Sequence, residues 1–171
     1  MCNLYSLTKG QAAIVALVRA MSDRTGNLPP MPGIFPDYPA PIARIAPDCV
    51  RELAIARWGM PGPPQFGGPI TNIRSVNSPH WRGWLKPANR CLVPFTSFCE
   101  YADTKPRKTP TWFALNDDRP LGCSRVSGRH GTAGVARKPT QLRASISYLD
   151  FSPAMPILKS ARSIPRPCRS S

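Results

Sequence analysis

The alternation of apolar and polar residues before Leu121 predicts a fold built mainly from short strands. Residues 90–101 (RCLVPFTSFCEY) are the strongest strand candidate, because β-branched and aromatic residues dominate them. Residues 111–115 (TWFAL) are typical of the returning strand of a hairpin whose polar tip spans 103–110. Residues 50–58 (VRELAIARW) alternate well enough for a further strand. Two shorter strand candidates are residues 1–7 and 42–45.

Two segments favour a helix. Thr8 and Gln11 fit a capping box, and apolar residues then recur at helical spacing to about Met21. Residues 78–89 indicate a second, short helix that carries two Trp. Pro- and Gly-rich loops separate these segments from the strands. The pattern predicts an α+β fold, mainly β, in a single compact domain with one or two helices.

The proline content, the net charge and the length of the apolar stretches exclude some classes of protein and favour others. Pro accounts for 22 of 171 residues against an average of ~5%, which excludes a helical bundle or a coiled coil. The net charge of +14 favours a polyanionic partner, with nucleic acid first and an anionic membrane surface second. The longest apolar stretch, residues 12–17, is far shorter than the ~20 residues of a membrane span, so no membrane partner is expected.

The positive charge is divided unevenly along the chain. Residues 1–121 contain 14 Lys and Arg against 8 Asp and Glu, whereas residues 122–171 contain 9 against 1. Hydrophobic periodicity also stops after Leu121. The sequence therefore predicts an incomplete domain over 1–121 and an atypical, basic, disordered tail over 122–171.

The second residue, Cys2, is the first candidate for chemistry. Methionine is normally trimmed before a small residue, which would leave Cys2 with a free α-amine of pKa about 7.7–8.0. Such an amine can attack an aldehyde, and the adjacent thiol can then close a thiazolidine ring. The alternative is that Cys2 is incidental. The cysteines show no zinc-like spacing, so no metal or other cofactor is expected.

Three further residues are candidates for the same site. Glu100 lies between Phe98 and Tyr101, where partial desolvation would raise its pKa and suit it to acid–base work. The alternative is a salt-bridged or edge-strand Glu. Asn72 and Arg74 follow a loop; the alternatives are a turn residue for Asn72 and a solvated surface charge for Arg74.

These residues occur within motifs that together resemble one family. The motifs are MCNLYSLT at 1–8, ARWGMPG at 56–62, TNIRS at 71–75, RCLVPFTSFCEY at 90–101 and TPTWFAL at 109–115. Over about 1–121 the chain resembles the SOS-response-associated peptidase (SRAP) family, the abasic-site processing proteins. The resemblance implies a compact, mainly-β fold with a positively charged DNA groove, in a cytoplasmic or nucleoid-associated monomer.

The resemblance also implies roles for individual residues. Cys2 would form a covalent thiazolidine with the ring-opened aldehyde of an abasic site in single-stranded DNA, and Glu100 would assist proton transfer. Asn72 would orient the N-terminus or the sugar, and Arg74 would contact phosphate. The family name records a self-processing peptidase activity that exposes the cysteine.

A basic and aromatic stretch offers the remaining contacts to DNA. Arg82, Lys86 and Arg90 are expected to track phosphates. Trp81 or Trp84 is expected to stack on splayed bases, with core packing as the alternative.

The chain departs from the family pattern at both ends. Many members begin Cys-Gly-Arg, whereas this chain reads Cys2-Asn3-Leu4. The family also has a histidine in a stretch resembling His-x-x-x-Met-Pro, and neither His80 nor His130 lies in such a context.

The hypothesis of a frameshift just after Leu121 would explain both the missing histidine and the uneven charge. Back-translation of 122–171 with permitted codons, read in another frame, can give a family-like sequence that includes the histidine motif. The rival interpretation is a natural basic tail that binds DNA.

Two other functions compete with abasic-site processing. One is a non-catalytic basic module that binds single-stranded nucleic acid, in which Cys2 is incidental. The other is a cysteine hydrolase of the Cys/His type, which the lack of a suitably placed histidine disfavours.

Overall fold

The computed structural model describes residues 3–61, 69–73, 75–130 and 142–147. The strands in chain order are β1 (Leu4–Leu7), β2 (Ser22–Asp23), β3 (Met31–Ile34), β4 (Pro39–Ile45), β5 (Arg51–Trp58), β6 (Met60–Pro61), β7 (Pro69–Ile70), β8 (Asn72–Ile73), β9 (Arg90–Phe95), β10 (Ser97–Ala102), β11 (Thr109–Phe113), β12 (Gly122–His130) and β13 (Leu142–Ser147). The helices are α1 (Gln11–Val18) and α2 (Pro79–Arg82), and a 3₁₀ turn follows at Pro87–Asn89. The expected mainly-β, α+β fold is confirmed.

Five strands form a closed ring. They are hydrogen-bonded in the order β5-β4-β9-β12-β13, and β13 pairs again with β5 in parallel. The β4–β5 hairpin is the longest ladder, running from Pro39 opposite Arg57 to Ile45 opposite Arg51. Short strands extend the ring on the outside, with β2 along β5 and β8 along β13.

A second sheet contains β11, β10, β1 and β3 in that order. The chain passes from the ring into this sheet at Thr96, where both the backbone N–H (2.7 Å) and the Oγ1 hydroxyl (3.0 Å) of Thr96 donate to the carbonyl of Ser6. The single strand predicted over 90–101 is therefore two strands, β9 and β10, in different sheets. Two hydrogen bonds to one carbonyl hold the backbone where it changes direction.

The main core fills the space between the ring, the second sheet and α1. Ile14 and Val18 of α1 are fully buried in it, as is Leu53 of β5. Tyr5 and Trp58 meet edge to face with ring centroids 5.4 Å apart, which joins β1 of the second sheet to β5 of the ring.

Helix α1 begins differently from the capping-box prediction. Its N-cap is Gly10, which has no side chain, so no side-chain hydrogen bond caps the helix. Thr8 instead lies against Thr96, with their hydroxyl oxygens 3.3 Å apart. The Gln11 side chain donates to the Asp23 carboxylate (2.7 Å) and accepts from the Leu28 N–H (3.1 Å). Tertiary partners have replaced the local cap that the sequence spacing indicated.

The described structure continues past the expected domain boundary at Leu121. Residues 122–127 pair with β9 in antiparallel register, from Gly122 opposite Phe95 to Ser127 opposite Arg90. The missing side chain of Gly122 matters here, because a Cβ atom there would approach the Phe95 ring to 3.0 Å. Residues 131–141 and 148–171 of the expected tail lie outside the described residues.

The described helices were compared with the length and hydropathy of a membrane-spanning helix. None of them combines the length and the apolar character that a membrane span requires.

Candidate functional site at the amino end of strand β1

The register between β1 and β10 brings Glu100 to the amino end of β1. Leu4 pairs with Cys99 and Tyr5 with Phe98 in antiparallel fashion, so β10 runs past the start of β1 as it reaches Glu100. Cys2 itself lies outside the described residues. In the sequence, one residue, Asn3, separates Cys2 from Leu4.

Glu100 occupies a half-buried position in the second sheet. Its strand lies between β1 and β11, and Glu100 pairs with Thr111. Phe98 is two residues away and therefore points to the same face of the strand. The Phe98 ring stacks on Phe113 at 5.4 Å with an interplanar angle of 19°. Glu100 thus shares its face of β10 with the stacked Phe98 and Phe113 rings.

Asn72 belongs to the outer part of the ring. It lies in strand β8, opposite Ile146 of β13, and not in a turn. Its side chain is half-buried, and its Nδ2 donates to the Thr71 hydroxyl at 3.0 Å. The neighbouring Ile73 is 1% exposed and anchors this short strand in a second hydrophobic cluster. Arg74, the expected phosphate contact, lies outside the described residues.

The two tryptophans expected to stack on bases have different environments. Trp81 is 7% exposed and packs with Met60 and Ile73 in the second cluster, which is the core-packing alternative. Trp84 is half-buried at the edge of this cluster, with its ring 5.4 Å from that of Trp81. The His80 ring contacts both, at centroid distances of 4.4 and 5.1 Å. Of the two tryptophans, Trp84 retains surface for a ligand.

The three expected phosphate contacts Arg82, Lys86 and Arg90 are all exposed. They lie between the end of α2 and the start of β9. A hydrogen bond from Asn89 Nδ2 to the Gly83 carbonyl (3.0 Å) closes this segment on itself. The arrangement gives a short basic edge in which each cation is accessible to a polyanion.

Cys91 and Cys123 are poor candidates for a nucleophile because their thiols are buried. Burial raises the pKa of the Cys91 thiol to about 12, and does the same for Cys123. Both thiols are therefore protonated at neutral pH, and the thiolate is the reactive form. Neither competes with Cys2 as a nucleophile.

Sequence reasoning missed a pair of exposed aromatic side chains on the face of the second sheet opposite to Glu100. Tyr101 in β10 is 53% exposed, and Trp112 in the edge strand β11 is 41% exposed. Cys99 pairs with Trp112, so the alternation of strand residues puts Tyr101 and Trp112 on the same face. The available signal was an aromatic residue in each of the two segments that the sequence predicts to pair as a hairpin.

Comparison with solved structures shows the same fold in three crystal structures. A protein from Bordetella bronchiseptica has a TM-score of 0.63 and 20% identity, covering 85% of this chain and 71% of its own. A phage-related protein from the same organism has a TM-score of 0.60 and 16% identity, with 85% and 68% covered. A protein from Bacteroides thetaiotaomicron has a TM-score of 0.65 and 17% identity, with 85% and 67% covered.

Comparison of sequences identifies the family. No curated protein matches the chain. The family model described as SOS response associated peptidase (SRAP) matches residues 1–135, which includes Cys2, Asn72, Arg74 and Glu100. With most of its length matched by that model and the expected mainly-β fold in place, this chain belongs to the SRAP family.

Proposed function

We propose that this protein processes abasic sites in single-stranded DNA by forming a covalent crosslink through Cys2 after removal of Met1. Family membership supports a role connected with the SOS response and DNA damage. The observation that carries the finer proposal is the pairing of Leu4 with Cys99, which brings the half-buried Glu100 beside the strand that follows Cys2.

The proposed reaction begins at the α-amine of Cys2. Its lone pair attacks the C1′ aldehyde of the ring-opened abasic sugar, and loss of one water gives an imine. The Cys2 sulfur then adds to the imine carbon and the imine nitrogen takes up a proton, which closes the thiazolidine ring. Water is the only leaving group, so no oxidant or reductant is required. In the peptidase step, hydrolysis of the Met1–Cys2 bond exposes the amine.

Glu100 and Asn72 would act on this reaction in different ways. A carboxylate such as Glu100 can accept a proton from the attacking amine and return one to the departing hydroxyl. Asn72 would position the amino group or the sugar through its amide. In this proposal Arg74, Arg82, Lys86 and Arg90 hold the phosphates, and Trp84 stacks on a neighbouring base. Trp81 has no stacking role, because it is buried.

The crosslink is tested by mixing the purified protein with single-stranded DNA that carries one abasic site. We expect a heat-stable adduct on a denaturing gel with the wild-type chain and with Cys123→Ala, whose thiol is buried. We expect none with Cys2→Ala. Cys2→Ser keeps the amine but cannot form the thiazolidine, so its adduct should survive only after borohydride reduction. A stable adduct with unreduced Cys2→Ala would remove Cys2 from this role.

The same crosslinking assay is repeated with the protein that is encoded when the reading frame after Leu121 is corrected. That protein carries the family histidine that this chain lacks in the expected context, so its adduct should form faster. If neither form gives an adduct, the enzyme proposal fails.

A non-catalytic module that binds single-stranded nucleic acid is the second candidate function. The observation that favours it is the exposed basic edge of Arg82, Lys86 and Arg90, which needs no nucleophile. It predicts that undamaged single-stranded DNA binds as tightly as abasic DNA, and that Cys2→Ala binds both normally. Fluorescence anisotropy with matched oligonucleotides, one abasic and one intact, distinguishes the two functions.

A further inference from the structure

A pocket of about 260 Å³ opens at one end of the ring, where α1 and β4 end and where β5 and β9 begin. Its apolar wall is formed by Val18, Ala43, Ile45 and Leu92. Neither Glu100 nor Asn72 lines it. The pocket is therefore separate from the groups proposed to react with the abasic sugar, and it shares Arg90 with the basic edge proposed to hold phosphates.

Four arginines also line the pocket: Arg44, Arg51, Arg90 and Arg125. The nearby carboxylate of Glu52 is already engaged. Its Oε1 accepts from Arg44 Nε at 2.7 Å, and its Oε2 lies 3.1 Å from Arg24 Nε. This buried carboxylate thus pairs with Arg44 and with Arg24, which does not line the pocket.

Arg51 and Arg90 carry the argument for an anion-binding site. Among the described residues, neither forms an ion pair with a carboxylate. The Nε of Arg51 is buried and has no hydrogen-bond acceptor in the described structure. Buried donors of this kind are normally satisfied, so a ligand oxygen is the natural complement. The neighbouring Cys91 thiol adds no negative charge, because burial keeps it protonated.

We propose that this pocket binds a phosphate-bearing anion. Guanidinium groups match phosphate oxygens in geometry and in charge, and two of them can hold one phosphate through paired hydrogen bonds. The pocket is slightly smaller than the ~300–1,000 Å³ of typical ligand sites, so it suits a single nucleotide unit and not a longer strand. The apolar wall of Val18 and Ile45 contacts the organic part of the ligand. Two sources share this chemistry, a free nucleoside monophosphate and the terminal phosphate of a DNA strand.

Isothermal titration of the full chain in a phosphate-free buffer tests the proposal. The probes are inorganic phosphate, deoxyadenosine monophosphate, and one intact oligonucleotide with and without a 5′-phosphate. We expect Arg51→Gln to weaken deoxyadenosine monophosphate binding at least tenfold, with Arg107→Gln unchanged, because Arg107 is exposed on the distant β10–β11 hairpin tip. Arg90→Gln should weaken the same probe, and its exposed position keeps the fold intact.

The oligonucleotide pair identifies the source of the phosphate. Tighter binding of the 5′-phosphorylated strand, lost in Arg51→Gln, assigns the pocket to a DNA end. Monophosphate binding without that difference assigns it to a free nucleotide. The proposal is overturned if the wild-type chain binds no probe at millimolar concentration, or if Arg51→Gln binds all of them normally. Adduct formation through Cys2 should be unaffected by Arg51→Gln, so the two proposals fail independently.

Discussion

Leu4 and Cys99 are paired in antiparallel register between β1 and β10, and Glu100 is therefore the carboxylate that borders the amino end of the chain. The two residues are far apart in sequence. In the proposed function, this pairing supplies the acid–base group for the chemistry of Cys2. Glu100 is half-buried, and the stacked pair of Phe98 and Phe113 lies on the same face of the sheet.

Replacement of Glu100 by Gln tests this relationship. We expect adduct formation with abasic single-stranded DNA to slow at least about tenfold, because acid–base catalysis by one side chain typically contributes ~10²–10⁴-fold. The melting temperature should be nearly unchanged. Asp103→Asn is the matched control, since Asp103 lies on the same hairpin with a side chain that is 94% exposed. Equal rates for Glu100→Gln and wild type would exclude Glu100 from proton transfer.

The buried Glu52 carboxylate is expected to contribute strongly to stability. It is 1% exposed and is held by Arg44 and Arg24. Glu52→Gln leaves Arg44 without its charged partner, so the free energy of unfolding should fall by about 3–5 kcal/mol in urea titrations.

Asp37→Asn provides the comparison for Glu52→Gln. The pair of Asp37 and Arg57 is partly exposed, so its loss should cost less than about 1 kcal/mol. Similar losses for the two variants would show that burial does not determine the strength of these pairs.

The buried thiols predict a loss of stability at high pH. Folding raises the pKa of Cys91 and Cys123 from 9.0 to about 12. The unfolded chain therefore releases these protons first as the pH rises above 9. The free energy of unfolding falls from there to about pH 12, where the thiols of the folded chain also ionise and the loss levels off. At pH 10 each thiol should lower the free energy of unfolding by about 1 kcal/mol.

Urea titrations at pH 7.5 and 10 under reducing conditions measure this effect. A Cys91→Ala/Cys123→Ala double variant should lose less stability between the two pH values than the wild type. Equal pH dependence in the two proteins would contradict the assignment.

The hypothesis of a shifted reading frame after Leu121 predicts a specific gene sequence. A change of frame at that codon should restore a family-like sequence with a histidine in a His-x-x-x-Met-Pro-like stretch. Sequencing of the gene tests this directly. A continuous frame with ordinary codon usage through residue 171 would contradict the hypothesis and favour a natural tail. The first residues after Leu121 pair with β9 in the structure.

Local sequence predicted the mainly-β class and most of the elements. The strand over 50–58 corresponds to β5 (Arg51–Trp58), and the hairpin returning at 111–115 corresponds to β11 (Thr109–Phe113). These elements depend on alternation and turn residues, which are local properties. The change of sheet at Thr96 could not be predicted, because it depends on the carbonyl of Ser6, 90 positions away. The same holds for Gln11, whose partners Asp23 and Leu28 lie beyond the helix.

The sequence by itself determined the family, the strand-rich class and the residue types that the proposed chemistry requires, because motifs and periodicity are written along the chain. Tertiary structure decided which of those residues meet. It brought Glu100 to the amino end of β1 through long-range strand pairing, and it buried Trp81 in a cluster with Met60. It also gathered Arg44, Arg51, Arg90 and Arg125 around one pocket. Such neighbours depend on how strands from distant parts of the chain pair, and composition contains no information on that pairing.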